Sequence, residues 1–394
     1  MACRAICEVA TTLDILERLI AFPTLSRTSN RPLISYVTGL LDSAGIGWSL
    51  IESPDGTRTN LFATVGPQDR PGVVLSGHTD VVPVEGQNWT TDPFHLRHAE
   101  GRYYGRGTAD MKGFVASAIS AALFAAKRPL VAPLHLALSY DEEIGCIGVR
   151  GLLDWLQHHG PKAAVCIVGE PTGMKIATGH KGKTALRASC TGHACHSALA
   201  PEGLNALHLG ADFLTCLRQH QARIVANGPR EEGYDVPYTT LHAGLMSGGR
   251  ALNIVPDHCD IDFEIRNIAA DDPAGIVEAL RADAQAIAAP YRKRFPEAAI
   301  EITQENAYPG LQAGEDMDIV ALLRDITGSN DALIKVAFGT EGGLFQSVLG
   351  MPVAVCGPGD MAQGHKPDEF ITAQQLARCD AMMARLIGRL ETGL

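Results

Sequence analysis

The protein has 394 residues, of which 46% are hydrophobic and 20% are charged, so the chain has enough apolar sequence for the cores of two domains. Its formal net charge of -11 argues against nucleic acid or an anionic membrane as the main partner. The N-terminal twenty residues lack the pattern of a secretory signal, the apolar run at 117–126 is too short to span a bilayer, and the ten cysteines have no paired spacing. We therefore expect a cytoplasmic protein whose cysteines are reduced.

The first 180 residues have the pattern of an α/β sheet. Several apolar runs of strand length show no polar alternation, which is typical of strands that are covered on both faces. Amphipathic spacing with start and stop signals indicates helices between them. Strands are predicted at 48–53, 60–66, 71–80, 133–143 and 163–171, and helices at 11–22, 31–45 and 111–127.

The pattern changes after residue 180, where the order of elements becomes β-α-β-β-α-β, the order of a ferredoxin-like unit. Its strands are predicted at 183–192, 239–248, 251–267 and 298–306, and its helices at 203–221 and 272–295. The chain then returns to the first pattern with helices at 316–327 and 372–391 and a strand at MPVAVCG. We predict an α/β domain with a mixed central sheet and helices on both faces (1–181 and 308–394), which carries an inserted ferredoxin-like domain (182–307).

Five potential metal ligands follow apolar runs or lie in glycine-rich segments. They are two imidazoles and three carboxylates, a set that suits two divalent cations sharing one carboxylate: His78, Asp110, Glu143, Glu170 and His365. The carboxyl ends of strands in open α/β sheets are where ligand chemistry collects. The sequence therefore predicts a metal-dependent hydrolase that uses zinc, cobalt or manganese.

Neighbouring residues indicate which role each of these potential ligands has. Asp80 lies two residues after His78, on the same side of an extended segment, and is predicted to orient that imidazole. Asp110 can bridge two cations, or alternatively cap a helix that begins at Met111.

Adjacent glutamates are predicted to have separate roles. In extended backbone Glu142 and Glu143 point in opposite directions, so Glu143 can bind metal while Glu142 acts as general base on a metal-activated water. The alternative is a solvated acidic turn. Glu170 and His365 each complete one ligand shell.

These segments resemble a known family. GHTDVVPVEGQNWTTDPF, YGRGTADMKGF, SYDEEIGCIGVR, VGEPT and CGPGDMAQGHKPDEFI are similar to the co-catalytic zinc aminoacylases and peptidases, which include acetylornithine deacetylases, succinyl-diaminopimelate desuccinylases and carboxypeptidase G-type enzymes, over about residues 11–390. The resemblance implies that one zinc is bound by His78 and Glu170 and the other by Glu143 and His365, with Asp110 as the bridge. It also implies a cis Asp110–Met111 peptide bond and a homodimer formed through the inserted domain.

The same resemblance implies residues that contact substrate. His196 matches a histidine that reaches the partner's active site to stabilise the oxyanion, and Asn253 and Arg266 match positions that hold the substrate carboxylate or carbonyl. A structural role for His196 and an ion pair for Arg266 are the alternatives. Gly339, Thr340 and Glu341 resemble a segment of the branch that acts on acetylornithine, and the charge of Glu341 suits a cationic side chain.

The resemblance implies hydrolysis of N2-acetyl-L-ornithine to L-ornithine and acetate, a step of arginine biosynthesis. The chain has HSA at 196–198 and TEG at 340–342 where that branch commonly has HSS and TEA, so substrate choice stays open. A related N-acyl amino acid (acetylcitrulline, or an N-formyl or succinyl compound) or a dipeptide is the alternative substrate. A non-catalytic small-molecule or metal-binding protein is the alternative class.

Overall fold

The computed structural model of the protein describes residues 10–161, 163–314 and 317–394, and elements are numbered in chain order. It divides into two compact units: unit 1 is Met1–Gly179, Leu311–Lys335 and Thr340–Leu394, and unit 2 is His180–Gly310 and Val336–Gly339. The first nine residues, on which part of the signal-sequence prediction rests, lie outside the described residues. So do the first residue of the predicted helix 316–327 and two of the ten cysteines.

Unit 1 is built on a mixed sheet with the order β1-β2-β6-β3-β7-β15-β8-β13, and β14 pairs with β8. The central strands β6, β3, β7 and β15 are parallel and fully buried along most of their length, as their continuous apolar runs predict. The strands are β1 (Gly47–Glu52), β2 (Thr59–Val65), β3 (Gly72–His78), β6 (Leu134–Ser139), β7 (Ala163–Pro171), β8 (Ala177–His180), β13 (Leu311–Gln312), β14 (Ile334–Val336) and β15 (Val353–Gly357).

Helices pack on this sheet, and all of them except Gly148–His159 and Gly342–Leu349 contribute to one hydrophobic core. They are α1 (Thr12–Ile20), α2 (Arg31–Ser43), α3 (Gly113–Ala125), α4 (Gly148–His159), α7 (Asp318–Thr327), α8 (Gly342–Leu349) and α9 (Ala373–Thr392). Helices α4 and α8 were not predicted. A small antiparallel sheet was not predicted either, and it consists of β4 (Arg97–Ala99), β5 (Arg102–Tyr104) and β16 (Phe370–Thr372).

Unit 2 has the predicted β-α-β-β-α-β order and an antiparallel sheet with the order β10-β11-β9-β12. Residues along β9 and β11 alternate between buried and partly exposed positions, because helices cover one face of this sheet. Its elements are β9 (Gly182–Thr191), α5 (Ala206–Asn227), β10 (Thr240–Gly248), β11 (His258–Asn267), α6 (Pro273–Ala288) and β12 (Ala299–Tyr308). The predicted α/β class with a mixed sheet is thus confirmed.

Two predicted bounds in unit 2 were wrong. The predicted strand 251–267 begins only at His258, and the residues before it form a loop. The predicted helix 272–295 ends at Ala288 and continues as a short 3-10 turn that contains Pro290, which cannot donate the next helical hydrogen bond. Within the described ranges, no helix has the length and apolarity needed to cross a lipid bilayer.

Candidate metal centre

Three adjacent strands carry predicted ligands to one edge of the unit 1 sheet. His78 is the last residue of β3, Glu170 is the second-last of β7, and Glu143 follows the end of β6 by four residues. Because these strands are parallel neighbours, their carboxyl ends meet at the same edge. This placement brings ligands that are far apart in sequence into one cluster.

Two loops complete the cluster. Asp110 lies in a π-helical turn (Thr108–Lys112), and its peptide bond to Met111 is cis, as the family resemblance implied. Helix α3 has Lys112 at its N-cap position without a side-chain cap, so Asp110 does not cap it. His365 adopts a left-handed backbone conformation with φ 61°.

The five side chains converge through Asp110. Asp110 Oδ1 is 3.2 Å from His78 Nε2, and Asp110 Oδ2 is 3.1 Å from His365 Nε2. On the outer sides of this pair, Glu170 Oε1 is 3.8 Å from His78 Nε2 and Glu143 Oε2 is 3.0 Å from His365 Nε2. The cluster therefore has a central carboxylate that faces two imidazole–carboxylate pairs.

The donor set fits two divalent cations. Four carboxylates are crowded into a buried space. Burial raises the pKa values of Glu142 and Glu170 well above the ordinary range of a glutamate. Burial and the nearby charge of Asp110 raise the pKa of Glu143 to about 7. Glu143 Oε1 is buried and has no hydrogen-bond partner within the described part of the chain. Bound cations would neutralise the repulsion and give this oxygen a partner.

The His78 ring is oriented by the backbone of Asp80. Its Nδ1 lies 2.9 Å from the Asp80 backbone oxygen, which can only accept, so Nδ1 donates and Nε2 faces Asp110 in the ligand cluster. The Asp80 carboxylate is farther from Nδ1, at 3.5 Å. The backbone oxygen of Asp80 thus makes the closer of its two contacts with the ring.

The Asp80 carboxylate instead holds the segment that carries the two glutamates. It accepts hydrogen bonds from the Ser26 hydroxyl at 2.8 Å and from the backbone N–H groups of Glu142 and Glu143 at 3.1 and 3.4 Å. Ser26 was not predicted, because its contact with Asp80 spans 54 residues of sequence.

The glutamate pair is not extended, contrary to our expectation. Strand β6 ends at Ser139, and Asp141 has a left-handed φ of 54°. Asp141 is held there by the backbone N–H of Arg27 at 2.6 Å and by the side chain of Arg58. A turn rather than strand alternation therefore separates Glu142 from Glu143, and Glu142 still lies in one potential ligand group with His78 and Glu170.

Glu341 lies buried beneath this edge and is only 1% exposed. Its Oε2 accepts a hydrogen bond of 3.1 Å from Ser76 in β3, while burial raises its pKa to about 7. Its other oxygen has no partner among the described residues. A contact between Glu341 and substrate stays a prediction.

The remaining predicted residues lie in or beside unit 2. His196 and Asn253 are exposed and adjacent: the backbone bridge His196–Ile254 and a 3.0 Å hydrogen bond from Ser197 N to the Asn253 oxygen join their loops. The Ala198 N–H donates to His196 Nδ1 at 3.1 Å, so the neutral ring carries its proton on Nε2.

Arg266 lies near the end of β11, whereas Asn253 lies in the loop before the first residue of that strand, His258; the strand from His258 to Arg266 alone spans about 26 Å at about 3.3 Å per residue. Its guanidinium donates to Glu264 at 2.9 Å and to the Tyr308 hydroxyl at 3.2 Å. Gly339 packs against the Tyr308 ring so closely that a Cβ there would be 2.1 Å from the hydroxyl oxygen. The structure therefore groups Arg266 with Gly339 and separates both from Asn253 within unit 2.

Thr340 starts the next segment of unit 1 and is buried. Its hydroxyl accepts a hydrogen bond from the Gly342 N–H at 2.9 Å, at the start of α8. Thr340 thus fixes the backbone conformation around Glu341.

The sequence of this chain matches a family of known proteins. A profile described as Peptidase family M20/M25/M40 matches residues 74–389. The chain belongs to this family. Its members are hydrolases, so the prediction of a metal-dependent hydrolase is confirmed at this level.

Relatives and solved structures agree with that assignment. The chain is 31% identical to an acetylornithine deacetylase from Pasteurella multocida over 98% of this chain and 100% of that protein, and 33% identical to one from Myxococcus xanthus over 94% and 95%. A metallo-carboxypeptidase of the M20 family from Sulfolobus solfataricus has the same fold with a TM-score of 0.77, 18% identity and coverage of 97% of this chain and 99% of that one. A Bacillus subtilis protein described as a dinuclear metal-binding M20 peptidase has a TM-score of 0.68, 16% identity and coverage of 97% and 98%.

Proposed function

We propose that the protein hydrolyses N2-acetyl-L-ornithine to L-ornithine and acetate, with two zinc ions that cobalt can replace. The cluster around Asp110 supports a two-metal hydrolase, and the full-length similarity to acetylornithine deacetylases supports the substrate. We further propose that it acts in arginine biosynthesis, in the cytoplasm, as a homodimer formed through unit 2. The observation that carries the proposal is Asp110 with one oxygen toward each histidine.

In this proposal each cation has its own imidazole and carboxylate. His78 and Glu170 would hold one, His365 and Glu143 would hold the other, and Asp110, which lies between the two histidines, would serve both. When bound, such ions polarise the amide carbonyl and lower the pKa of a bound water. Asp80 supports this arrangement by fixing the Glu142–Glu143 segment and, through its backbone oxygen, the His78 ring.

Glu142 is the proposed general base. Burial and the neighbouring carboxylates raise its pKa, which favours a group that takes up a proton. The water oxygen forms a bond to the acetyl carbon while Glu142 accepts the water proton. Glu142 then delivers this proton to the departing α-amine as the C–N bond breaks, and acetate and ornithine are released.

His196 is the proposed oxyanion donor, acting in the site of the partner subunit. The Ala198 N–H fixes the tautomer with a proton on Nε2, which is the donor that a developing oxyanion requires. Asn253 lies in the loop before β11 and Arg266 lies near the end of that strand, and this separation supports the same division: His196 and Asn253 serve one site, and Arg266 serves the other. Both Asn253 and Arg266 are proposed to hold substrate oxygens.

The direct experiment is to supply zinc-loaded protein with N2-acetyl-L-ornithine, N-acetyl-L-methionine, N-succinyl-diaminopimelate and a dipeptide. We expect acetate and ornithine in equal amounts, with kcat/KM at least about tenfold higher for acetylornithine, or about 1.4 kcal/mol of discrimination. An equal or reordered profile would retain the hydrolase and reject this substrate.

Because Glu341 is buried, a second candidate substrate is a related N-acyl amino acid without a cationic side chain. The Oε2 of Glu341 accepts a hydrogen bond from Ser76 and its Oε1 is buried, so little of this carboxylate is exposed to a substrate. If Glu341 selects ornithine, Glu341→Gln should lower kcat/KM for acetylornithine and leave that for acetylcitrulline nearly unchanged. An equal loss on both substrates would assign Glu341 a structural role.

A further inference from the structure

The carboxylate of Glu369 organises the backbone that presents Asp110. Glu369 is 1% exposed and accepts hydrogen bonds from three backbone N–H groups, at 3.1 Å from Gly107, 2.9 Å from Ala109 and 3.1 Å from Asp110. The last of these donors belongs to the proposed bridging ligand itself. One side chain thus satisfies three N–H groups of a segment that has no strand partner there.

The segment needs this support because its backbone is irregular. Gly107 has a φ of 88°, and Asp110 has φ -122° and ψ 93°, outside the helical region although helix α3 follows closely. Buried N–H groups in such a turn destabilise the folded protein unless acceptors are provided for them. Pairing of β16 with β5 supplies the acceptor, because Phe370 lies opposite Tyr104 and this register places Glu369 beside Gly105.

Arg106 extends the network toward the second histidine. Its buried guanidinium donates to Glu369 Oε2 at 2.7 Å and to Gln87 Oε1 at 2.6 Å. Gln87 in turn donates from Nε2 to the backbone oxygen of His365 at 3.0 Å. A continuous chain of hydrogen bonds therefore connects the backbone of Asp110 to the backbone of His365.

The charges in this network are matched. The buried Glu369 carboxylate faces the buried Arg106 guanidinium, so the network adds little net charge next to the negative ligand cluster. Neither residue is one of the five metal ligands. Their contacts reach the ligands through backbone groups and leave the ligand oxygens and nitrogens available.

We propose that Glu369 is a positioning residue that acts through Arg106 and Gln87. It fixes the spacing between Asp110 and His365, and it thereby sets the affinity for the cation that His365 and Glu143 would hold. The inference rests on the proposed two-metal function. Disturbing residues that orient metal ligands typically weakens metal binding by about 10–100-fold.

The test uses Glu369→Gln, which keeps one acceptor oxygen but turns the other into an N–H₂ group that opposes either the donors of Gly107 and Arg106 or those of Ala109 and Asp110. Metal-free wild-type and variant proteins are titrated with Co²⁺ and followed by visible absorption, a readout that is independent of any substrate. We expect one of the two cobalt sites of the variant to lose about 10–100-fold in affinity with an altered spectrum.

The control is Glu391→Gln, which makes the same change in an exposed ion pair with Arg128 in unit 1 and should leave both cobalt affinities unchanged. Unchanged cobalt affinities in Glu369→Gln, or an equal loss in the control, would overturn the proposal. If Glu369→Gln does not fold, Gln87→Ala decides: Gln87 is only partly buried, and its loss should weaken one cobalt site. Unchanged cobalt binding in Gln87→Ala would also overturn the proposal.

Failure of the proposed function gives a different result. Wild-type protein would then bind two cobalt ions but not hydrolyse acetylornithine, while the cobalt titrations would still report on Glu369.

Discussion

The metal-ligand edge of unit 1 and the His196 loops of unit 2 carry the two halves of the proposed chemistry, but they are built differently. At the unit 1 edge, three carboxylate residues are buried, Asp80, Asp110 and Glu170. Hydrogen bonds within unit 1 fix the segments that hold the ligands. In the unit 2 loops, His196 and Asn253 are exposed and held mainly by backbone bonds.

Large apolar side chains near His196 are exposed as well. Leu199 is 58% exposed and Leu252 is fully exposed, whereas Val81, Ala109 and Met111 beside the unit 1 ligands are buried. In the proposed dimer, one chain would complete the metal centre by itself, while His196 would act only when the partner subunit covers these loops.

Metal removal should produce the largest effect, because the whole unit 1 cluster depends on the cations. Chelated protein should lose at least about 10⁴-fold of its hydrolytic rate and recover it with Zn²⁺ or Co²⁺. Metal content and hydrolysis are measured on the same samples. Full activity in protein shown to be metal-free would contradict the account.

Glu142→Ala should be nearly as severe, with a loss of about 10²–10⁴-fold in kcat, because no other group is proposed to move the proton. Two metals should still bind, since Glu142 is not a proposed ligand. Kinetics are compared with metal content by atomic spectroscopy. A normal turnover rate would remove Glu142 from the role of base.

His196→Ala should cost about 10²–10³-fold in kcat while both metals are retained. Co-expression with Glu142→Ala sharpens the comparison of the two regions. A mixed dimer would contain one site with intact Glu142 and an intact His196 from the partner, so about a quarter of the wild-type rate should return in a one-to-one mixture. No recovery in purified mixed dimers would place His196 in the site of its own chain.

The smallest expected effect lies away from both regions, at His135 in β6. His135 is fully buried, and burial lowers its pKa to about 4 from 6.5. As the pH falls from 6.5 toward 4, the unfolded chain binds a proton that the folded chain does not, so stability should fall by an amount on the order of 2–3 kcal/mol.

His135→Phe keeps the stacking on Phe62 and removes this titration, although it loses a 3.0 Å contact with Thr64. Its free energy of unfolding should therefore depend less on pH between 6.5 and 4 than that of the wild type. Denaturant unfolding at several pH values gives the two slopes. Parallel slopes would show that His135 does not titrate in this way.

The sequence was sufficient for much of the unit 1 edge. Unbroken apolar runs predicted the parallel strands, and parallel strands end at one edge, which explains why His78, Glu143 and Glu170 could be expected together. The turn at Glu142 could not be foreseen, because Arg27 and Arg58 hold Asp141 through contacts that span 114 and 83 residues.

Other features could not be predicted from the sequence for a similar physical reason. Glu369 bonds chiefly to backbone N–H groups, which have no residue type, so its partners could not be read from the sequence. Helix α8 begins with two glycines, which are poor helix formers, and therefore had no helical signature at its start.

The most direct test of the central claim compares two substrates that are similar in length and differ in the charge of the side chain. We predict that zinc-loaded protein has a kcat/KM for N2-acetyl-L-ornithine at least about tenfold above that for N2-acetyl-L-citrulline, a difference of about 1.4 kcal/mol in transition-state binding. A ratio near one, or a preference for acetylcitrulline, would contradict the assignment of this two-metal hydrolase to acetylornithine.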